Sequence, residues 1–422
     1  MTVNVQTDRA LIGATAPSTR YALVSLVAPQ TSRTQSREPV NVAFVLDRSG
    51  SMGGNKIQLA RQAVEHALKL LRDNDRFSLV VYDDHIDVVV ESTFATREAL
   101  TNARARLAGI DARGSTDLCG GWLAGCEQVA QHLKDEGIGR CLLLTDGLAN
   151  QGITNHGEII NHARELRQRG VITSTFGVGA DFDERLLQQM ADAGAGHFYF
   201  IERAVQIPDL FASELGETLE IVARGVTLTI ETPAAVQTQV LNQFETAGRP
   251  ERLIVQLGDL VSGQELSVVA ALDFPPGQEG SRIVATFTVA DKSGQTLSES
   301  VQQAWTFASE ADNAAQSRNR AVDEAVGELY AARAQAKAVE LNRSGDYDAA
   351  GRLLEEVART IQSYAGASAK LRQVVADLRE SAHSASAPMS PLMMKAMHFS
   401  SSSKLRDRNA EGKARRPPKA PE

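Results

Sequence analysis

The sequence of 422 residues is poor in cysteine and has no long apolar runs. Its three cysteines, Cys119, Cys126 and Cys141, are too few for a disulfide framework, and we interpret them as buried thiols of a reducing compartment. No run approaches the roughly 18 apolar residues that a membrane-spanning helix needs. The amino-terminal segment has no basic-then-apolar signal region. A cytoplasmic protein is therefore expected.

A net basic charge is also absent, because the formal charge at pH 7 is −8. Residues 384–422 carry eight Lys/Arg against three Asp/Glu, and the rest of the chain carries 36 against 49. The acidic body excludes nucleic acid as the main partner. The basic tail is rich in Ser and Pro and low in periodicity, which predicts disorder.

One segment within this tail differs from its surroundings because it is rich in methionine. Four of the seven methionines lie here, just before His398-Phe399: Met389, Met393, Met394 and Met397. They could form a short helix that docks in a groove. The adjacent Ser400–Ser403 run could accept phosphate, although such runs are usually flexible spacers.

The length exceeds what one hydrophobic core usually holds, and the residue pattern changes twice along the chain. Residues 41–201 alternate apolar strands with helix-period segments, which predicts a doubly wound, mostly parallel sheet. From about 225 to 307 the apolar residues alternate, as in an antiparallel sandwich. Residues 311–382 hold no proline and predict a helical hairpin with a third helix.

The expected fold class is therefore α/β, with the doubly wound sheet inserted in or followed by a β-sandwich and then by a helical bundle. Tyr21-Leu23-Ser25-Val27 alternates outside the α/β segment and is expected to join the sandwich. The predicted division is an amino-terminal β segment 1–38, an α/β domain 39–220, a β-sandwich 221–308, a helical domain 309–383 and a disordered tail 384–422.

The best chemical signal follows the first strand of the α/β segment. Asp47-Arg48-Ser49-Gly50-Ser51 comes after the apolar run 41–46 and precedes a helix. Two more oxygen-bearing loops, with Thr116 and Asp146, follow at equivalent places. Since ligands of doubly wound sheets bind at the carboxyl ends of the strands, these side chains are expected to meet there.

Three hydroxyls and two carboxylates form an oxygen set that suits a hard cation such as Mg²⁺. An open coordination position on the ion would attract a carboxylate from another molecule. In the alternative interpretation, Ser49 and Ser51 only cap the following helix. That alternative accounts for one loop but not for the matching pair.

These residues carry a resemblance to a known family. Residues 41–201 resemble the von Willebrand factor A domain, whose fold is Rossmann-like, and Asp47, Ser49, Ser51, Thr116 and Asp146 match its metal-ion-dependent adhesion site. The resemblance implies that these five residues hold Mg²⁺, Mn²⁺ or Ca²⁺, that Asp146 often acts through water, and that a partner's Asp or Glu completes the coordination. The flanking β segments are similar to bacterial proteins of the inter-alpha-trypsin inhibitor heavy chain type. Asp117 departs from the pattern by adding a carboxylate at the rim.

The resulting prediction is a non-enzymatic adaptor that binds an acidic residue of a protein partner through a metal ion. The resemblance also implies that the last helix of the α/β domain, near Ala204–Leu219, shifts when the site is filled. One alternative is a metal-assisted hydrolase with Asp117 as general base. The other is a kinase-regulated scaffold that acts through its tail. The partner, the physiological metal and the oligomeric state stay open.

Overall fold

The computed structural model describes residues 1–30, 38–133 and 137–417. Residues 31–37 of the predicted amino-terminal segment and residues 418–422 of the predicted tail lie outside the described residues. The chain forms two compact units. A β-and-helix unit contains the described residues of 1–33, 221–390 and 400–422, and an α/β unit contains those of 34–220 and 391–399.

Sixteen strands are found among the described residues. In chain order they are β1 (Thr2–Thr7), β2 (Leu11–Gly13), β3 (Ser18–Val27), β4 (Val40–Asp47), β5 (Arg76–Tyr82), β6 (Ile86–Phe94), β7 (Ile138–Thr145), β8 (Val171–Val178), β9 (Ala195–Ile201), β10 (Ile221–Glu231), β11 (Gln237–Val240), β12 (Glu245–Arg249), β13 (Arg252–Val261), β14 (Glu265–Phe274), β15 (Arg282–Ala290) and β16 (Val301–Ala308).

Eleven α-helices accompany them within the described part of the chain. They are α1 (Asn55–Leu68), α2 (Arg97–Ala108), α3 (Leu118–Ala130), α4 (His156–Gln168), α5 (Glu184–Ala193), α6 (Ile207–Thr218), α7 (Glu310–Ala315), α8 (Arg320–Arg343), α9 (Tyr347–Ala365), α10 (Ala369–Ala385) and α11 (Pro391–Leu405).

The α/β unit is built on one six-stranded sheet with the order β6-β5-β4-β7-β8-β9. Every pairing is parallel except that of the edge strand β6 with β5. Strands β4 and β7 are buried along their whole length and are mostly apolar on both faces. That pattern arises because helices cover both faces of a parallel sheet. The predicted doubly wound sheet is confirmed.

The β-and-helix unit contains two sheets, with the orders β1-β3-β14-β11 and β12-β13-β10-β15-β16-β2. Strand β3 pairs with β14 over ten residues, so the start of the chain lies beside strands formed more than two hundred residues later. Ala22, Val24 and Leu26 of β3 belong to the apolar core of the two sheets. The alternating period of these strands thus buries one face of each sheet.

Helices cover the other face of the sheet that holds β3. Leu23 and Val269 pack against Val322, Val326 and Leu329 of α8. Helices α8, α9 and α10 follow one another as the predicted helical hairpin with a third helix. Both faces of β3 are therefore occupied, which explains why Leu23 is buried together with the side chains that point the opposite way.

The prediction of a disordered tail is wrong for residues 384–417. Helix α10 continues to Ala385, and α11 spans Pro391–Leu405. The first nine residues of α11 belong to the α/β unit, where Phe399 packs against Phe198 and Phe200. In the other unit, Leu405 joins the apolar cluster of α8. The composition of a segment shows that it is polar. It does not show whether the few apolar side chains of the segment are buried against other parts of the chain.

None of the helices in the described part of the chain combines the length with the apolar character that crossing a membrane requires.

Candidate metal centre at the carboxyl edge of the α/β sheet

Asp47 is the last residue of β4 and lies at the carboxyl edge of the sheet. Its neighbours in β4 are in register with β5 and β7, with Leu46 opposite both Val81 and Leu144. Because the three strands are parallel, their carboxyl ends meet at one edge. The loops that follow β4 and β7 are therefore placed side by side by the sheet itself.

The Asp47 carboxylate is fully buried and accepts two hydrogen bonds. Oδ1 accepts from the Ser49 backbone N–H at 2.8 Å, and Oδ2 accepts from the Thr145 hydroxyl at 2.6 Å. Burial raises the pKa of Asp47 to about 6, the bonds from Thr145 and Ser49 oppose this rise, and the nearby Asp146 adds to it. Because burial disfavours the charged form of Asp47, a cation beside this carboxylate would stabilise that form.

The two serines and Asp146 form a continuous chain of oxygen atoms. Ser49 Oγ lies 3.1 Å from Ser51 Oγ, and the Ser51 hydroxyl donates to Asp146 Oδ1 at 2.6 Å. Ser49 and Asp146 are buried, whereas Ser51 is exposed. The chain of oxygens thus runs from the interior to the surface, and an ion bound there would be reachable from solvent.

Neither serine caps the following helix, so the capping alternative is wrong. Helix α1 begins at Asn55 after Gly54, which has no side chain, and the short 3-10 turn at Gly50–Met52 receives no side-chain cap from Ser49. The two hydroxyls are instead turned toward each other and toward Asp146. This orientation leaves them available for a function other than helix capping.

Thr116 is brought to the same edge by two loop contacts. Its backbone N–H donates to Asn150 Oδ1 at 3.1 Å, and the Gly50 N–H donates to the Gly114 carbonyl at 3.1 Å. A methyl group added at Gly147 would lie 3.2 Å from the Thr116 hydroxyl oxygen and 3.8 Å from Asp47 Oδ2. The Thr116 hydroxyl and the Asp47 carboxylate therefore both face the space beside Gly147, where a side chain is absent.

A cluster of four charged side chains, with Asp83 and Arg48 buried and Arg113 and Asp87 exposed, connects these loops. The Arg48 and Arg113 side chains both donate to Asp83 Oδ2, at 3.1 and 2.8 Å, and the Arg113 N–H donates to the Arg48 carbonyl at 2.6 Å. Arg48 also pairs with Asp87 at 2.5 Å. The residue between Asp47 and Ser49 thus ties its loop to the loop before Thr116.

The structure gives Asp117, which departs from the family pattern, a local role. Its side chain is the N-cap of α3, where Oδ1 accepts from the Gly120 N–H at 2.9 Å. Asp residues favour this position because their oxygens satisfy the free N–H groups of the first turn. The extra carboxylate is therefore accounted for by helix capping.

Two functional contacts escaped the sequence reasoning. Thr145 directly precedes Asp146, but no motif identifies it as the partner of Asp47. Lys56 belongs to no metal-binding pattern, yet its Nζ lies 2.5 Å from Asp146 Oδ2 and 3.3 Å from the Ser51 carbonyl oxygen. Both contacts join residues about 90 or more positions apart, so only the fold reveals them.

All five side-chain oxygen donors are hard ligands of the kind that Mg²⁺, Mn²⁺ and Ca²⁺ prefer. Asp47 and Thr116 face the space beside Gly147, and the hydroxyls of Ser49 and Ser51 lead from the Asp47 loop to Asp146, with Ser51 at the surface. The residues present therefore fit a divalent cation.

Comparison with known proteins agrees with this geometry. Residues 41–213 match the family model of the von Willebrand factor type A domain. The chain is 29% identical over 252 residues to the uncharacterized protein YfbK of Escherichia coli, covering 57% of this chain and 43% of that protein. It is 28% identical over 264 residues to human inter-alpha-trypsin inhibitor heavy chain H4, covering 60% of this chain and 27% of that protein. The chain thus spans less than half the length of these two relatives.

Solved structures share the fold over most of the chain. A von Willebrand factor type A protein from Catenulispora acidiphila superposes with a TM-score of 0.70 at 19% identity, covering 89% of each chain. The ArnB paralog VWA2 from Sulfolobus acidocaldarius superposes with a TM-score of 0.58 at 18% identity, covering 91% of this chain and 97% of that one. At these identities the likeness concerns the fold.

Proposed function

We propose that this chain, a protein with a von Willebrand factor type A domain at residues 41–213, binds a divalent cation and through it an acidic side chain of a partner protein. Domains of this family commonly mediate metal-dependent protein interactions. The proposed ligands are Asp47, Ser49, Ser51, Thr116 and Asp146. Mg²⁺ is the first candidate for the ion, with Mn²⁺ and Ca²⁺ as substitutes.

The observation that carries this proposal is the chain of oxygens from the buried Asp47 loop to the exposed Ser51. Ser49 Oγ, Ser51 Oγ and Asp146 Oδ1 follow one another at 3.1 and 2.6 Å. A bound ion would supply a positive charge that an incoming carboxylate can bind. The residues of this chain hold that ion's ligands in place, with Thr145 orienting Asp47 and with Arg48 and Arg113 fixing the two loops.

The metal part of the proposal is tested by calorimetric titration of metal-free protein with MgCl₂ and MnCl₂. The variants are Ser51→Ala, which changes a side chain at the surface, and Asp47→Ala. Asp111→Ala is the matched control, because its side chain is 91% exposed. We expect binding by the wild type and the control and at least tenfold weaker binding by the other two. Equal affinities in all four proteins would overturn the proposed ligand set.

The partner part is tested by capture of proteins on immobilised protein in Mg²⁺ and in EDTA. A true partner would be retained in Mg²⁺ by the wild type and by Asp111→Ala, and would be lost with EDTA or with Ser51→Ala. If a captured protein is retained both in EDTA and by Ser51→Ala, the result favours a scaffold that binds through a metal-independent surface. Substitution of the acidic residues in the captured partner then identifies the residue that reaches the ion.

Two alternatives receive less support. For a metal-assisted hydrolase, the candidate base Asp117 is engaged in capping α3. Because Asn also serves as an N-cap, Asp117→Asn should keep the fold, and only a loss of phosphatase or esterase turnover in this variant would support the hydrolase. For a kinase-regulated tail, Ser401, Ser402 and Ser403 lie in α11 and are at least 94% buried, so a kinase could reach them only after local unfolding. An intracellular location is part of the proposal, and it is supported by the three cysteines, which are buried free thiols, because disulfides are rare in reducing compartments.

A further inference from the structure

Lys56 places its own positive charge at the proposed metal site. It is the second residue of α1, and its side chain reaches back so that Nζ contacts Asp146 Oδ2 at 2.5 Å and the Ser51 carbonyl oxygen at 3.3 Å. A cation in the first turn of a helix opposes the helix dipole. The position in α1 therefore does not stabilise this ammonium group, and the contact with Asp146 does.

The oxygens of Asp146 are divided between two partners. Oδ1 accepts from the Ser51 hydroxyl, and Oδ2 accepts from Lys56. The Asp146 side chain is fully buried, whereas that of Lys56 is 29% exposed. The ammonium thus neutralises a buried carboxylate from the solvent side, which is also the side from which an ion would arrive.

We propose that Lys56 is a tethered cation that competes with the metal ion for Asp146 and thereby sets the metal affinity of the site. This inference rests on the proposed function, because it concerns the same ligands. In the metal-free protein Lys56 compensates the charge of Asp146. A divalent ion must displace the ammonium or share the carboxylate with it, and in both cases the positive charge of Lys56 weakens its binding.

The consequence is a site that is half-filled only at a higher concentration of free metal. Without Lys56, the buried carboxylates would hold an ion more firmly and the metal-free state would be less stable. With Lys56, metal binding stays reversible, so binding of a partner's carboxylate can follow changes in free metal. The side chain displaced from Asp146 stays tethered at the rim through α1.

The test is calorimetric titration of metal-free wild type, Lys56→Met, Lys56→Arg and Lys69→Met with MgCl₂ and MnCl₂. Lys69 caps the other end of α1, with a side chain 53% exposed, and serves as the matched control. We expect Lys56→Met to bind about tenfold more tightly than the wild type, and Lys56→Arg and Lys69→Met to stay near it. Unchanged or weaker binding by Lys56→Met, with normal binding by the wild type, would overturn the role of Lys56 and leave the proposed metal site standing.

A second measurement separates the two proposals further. In EDTA, Lys56→Met is expected to unfold at a lower temperature than Lys69→Met, since Asp146 loses its counter-charge, and Mg²⁺ should remove this difference by supplying the charge. If no variant binds metal and Lys56→Met unfolds like the control, both proposals fail. If Lys56→Met binds metal and the wild type does not, the result supports a competition by Lys56 that is strong enough to prevent metal binding by the wild type.

Discussion

At the residue scale, the proposed site depends on side chains that do not themselves bind the ion. Thr145 donates to Asp47 Oδ2 at 2.6 Å, and Lys56 pairs with Asp146 Oδ2. Each of them selects one oxygen of a carboxylate and fixes its orientation. Loss of an orienting partner such as Thr145 typically lowers metal affinity by about 10- to 100-fold, whereas loss of the competing charge of Lys56 is expected to raise it. The affinity of the site is therefore set by contacts that the five-residue pattern does not contain.

Thr145→Val tests this orienting role, because valine keeps the shape of threonine but has no hydroxyl. We expect Mg²⁺ affinity to fall at least about tenfold and the free energy of unfolding to drop by about 1–3 kcal/mol, since buried Asp47 loses a hydrogen bond. Titration calorimetry and urea unfolding provide the measurements. Thr101→Val is the control, because Thr101 is exposed on α2 and donates only to the Arg97 carbonyl. An affinity equal to that of the control would contradict the role of Thr145.

The raised pKa of Asp407 predicts how the stability of the β-and-helix unit depends on pH. Burial raises the pKa of Asp407 to about 6, although Arg415 and the Ser267 N–H favour its charged form. Because the folded state binds this proton more tightly than the unfolded state, stability should rise as pH falls from about 7 to 4. The shift from 3.8 to about 6 corresponds to roughly 3 kcal/mol.

The measurement is urea unfolding of the wild type and of Asp407→Asn at pH 7.5, 6 and 4.5. Asparagine cannot titrate, so the wild type should gain stability relative to the variant as pH falls. A difference between the two proteins that is independent of pH would show that the pKa of Asp407 is not raised.

At the element scale, the last helix of the α/β domain packs on the sheet through Phe211 and is hydrogen-bonded to it through a buried carboxylate. Glu214 of α6 accepts from the Ser174 hydroxyl at 2.5 Å and from the Tyr199 hydroxyl at 2.6 Å, and it lies 3.0 Å from His197 Nδ1. These partners belong to β8 and β9. A shift of α6 on filling of the metal site, which the family resemblance implies, would have to strain or break these bonds.

Tyr199→Phe removes one of these bonds and should loosen α6. We expect a loss of about 1.5–3 kcal/mol, because the acceptor is charged and buried, and faster hydrogen exchange in residues 207–218. Residues 156–168 of α4 serve as the internal reference, and Tyr347→Phe in the other unit as the matched variant. If exchange of α6 is unchanged, Tyr199 does not hold this helix. A further comparison with and without Mg²⁺ shows whether filling the site moves α6.

At the scale of the whole molecule, the α/β unit contains residues 391–399, which are far in sequence from its other residues, 34–220. Residues 391–399 contribute Lys395, whose Nζ donates to Glu184 and to the Phe182 carbonyl, each at 2.5 Å, and lies 4.3 Å from the centre of the Phe182 ring. Both members of the ion pair are 6% exposed. A buried ion pair of this kind makes the position of the segment specific, since a shifted helix would leave two charges buried.

Lys395→Met should therefore destabilise the α/β unit by about 3–5 kcal/mol, because it removes the counter-charge of a buried glutamate. Glu184→Gln in the same protein should recover part of this loss. Lys404→Met, an exposed position on the same helix, is the control. Thermal unfolding and a double-mutant cycle provide the measurements, and additive effects of the two substitutions would show that the pair is not coupled.

The sequence by itself determined the fold class and the proposed ligands, because both depend on local patterns. Apolar runs and alternating periods report whether one or two faces of a strand are buried, and the carboxyl ends of all parallel strands lie at the same edge of the sheet. Thr116, by contrast, lies between helices α2 and α3 and follows no strand. Asp47, Ser49 and Ser51 are adjacent in sequence, and Asp146 ends an equivalent strand. Such features are visible without knowledge of distant contacts.

Only the tertiary structure decided the features that join distant parts of the chain. Lys56 meets Asp146, Thr145 meets Asp47, and Lys395 meets Glu184 across separations of about 90 to 210 residues. The tail was expected to be disordered because its composition is polar, yet Phe399 and Leu405 are buried against partners that composition cannot reveal. Local propensity is a property of a segment, whereas burial and charge pairing are properties of the folded chain.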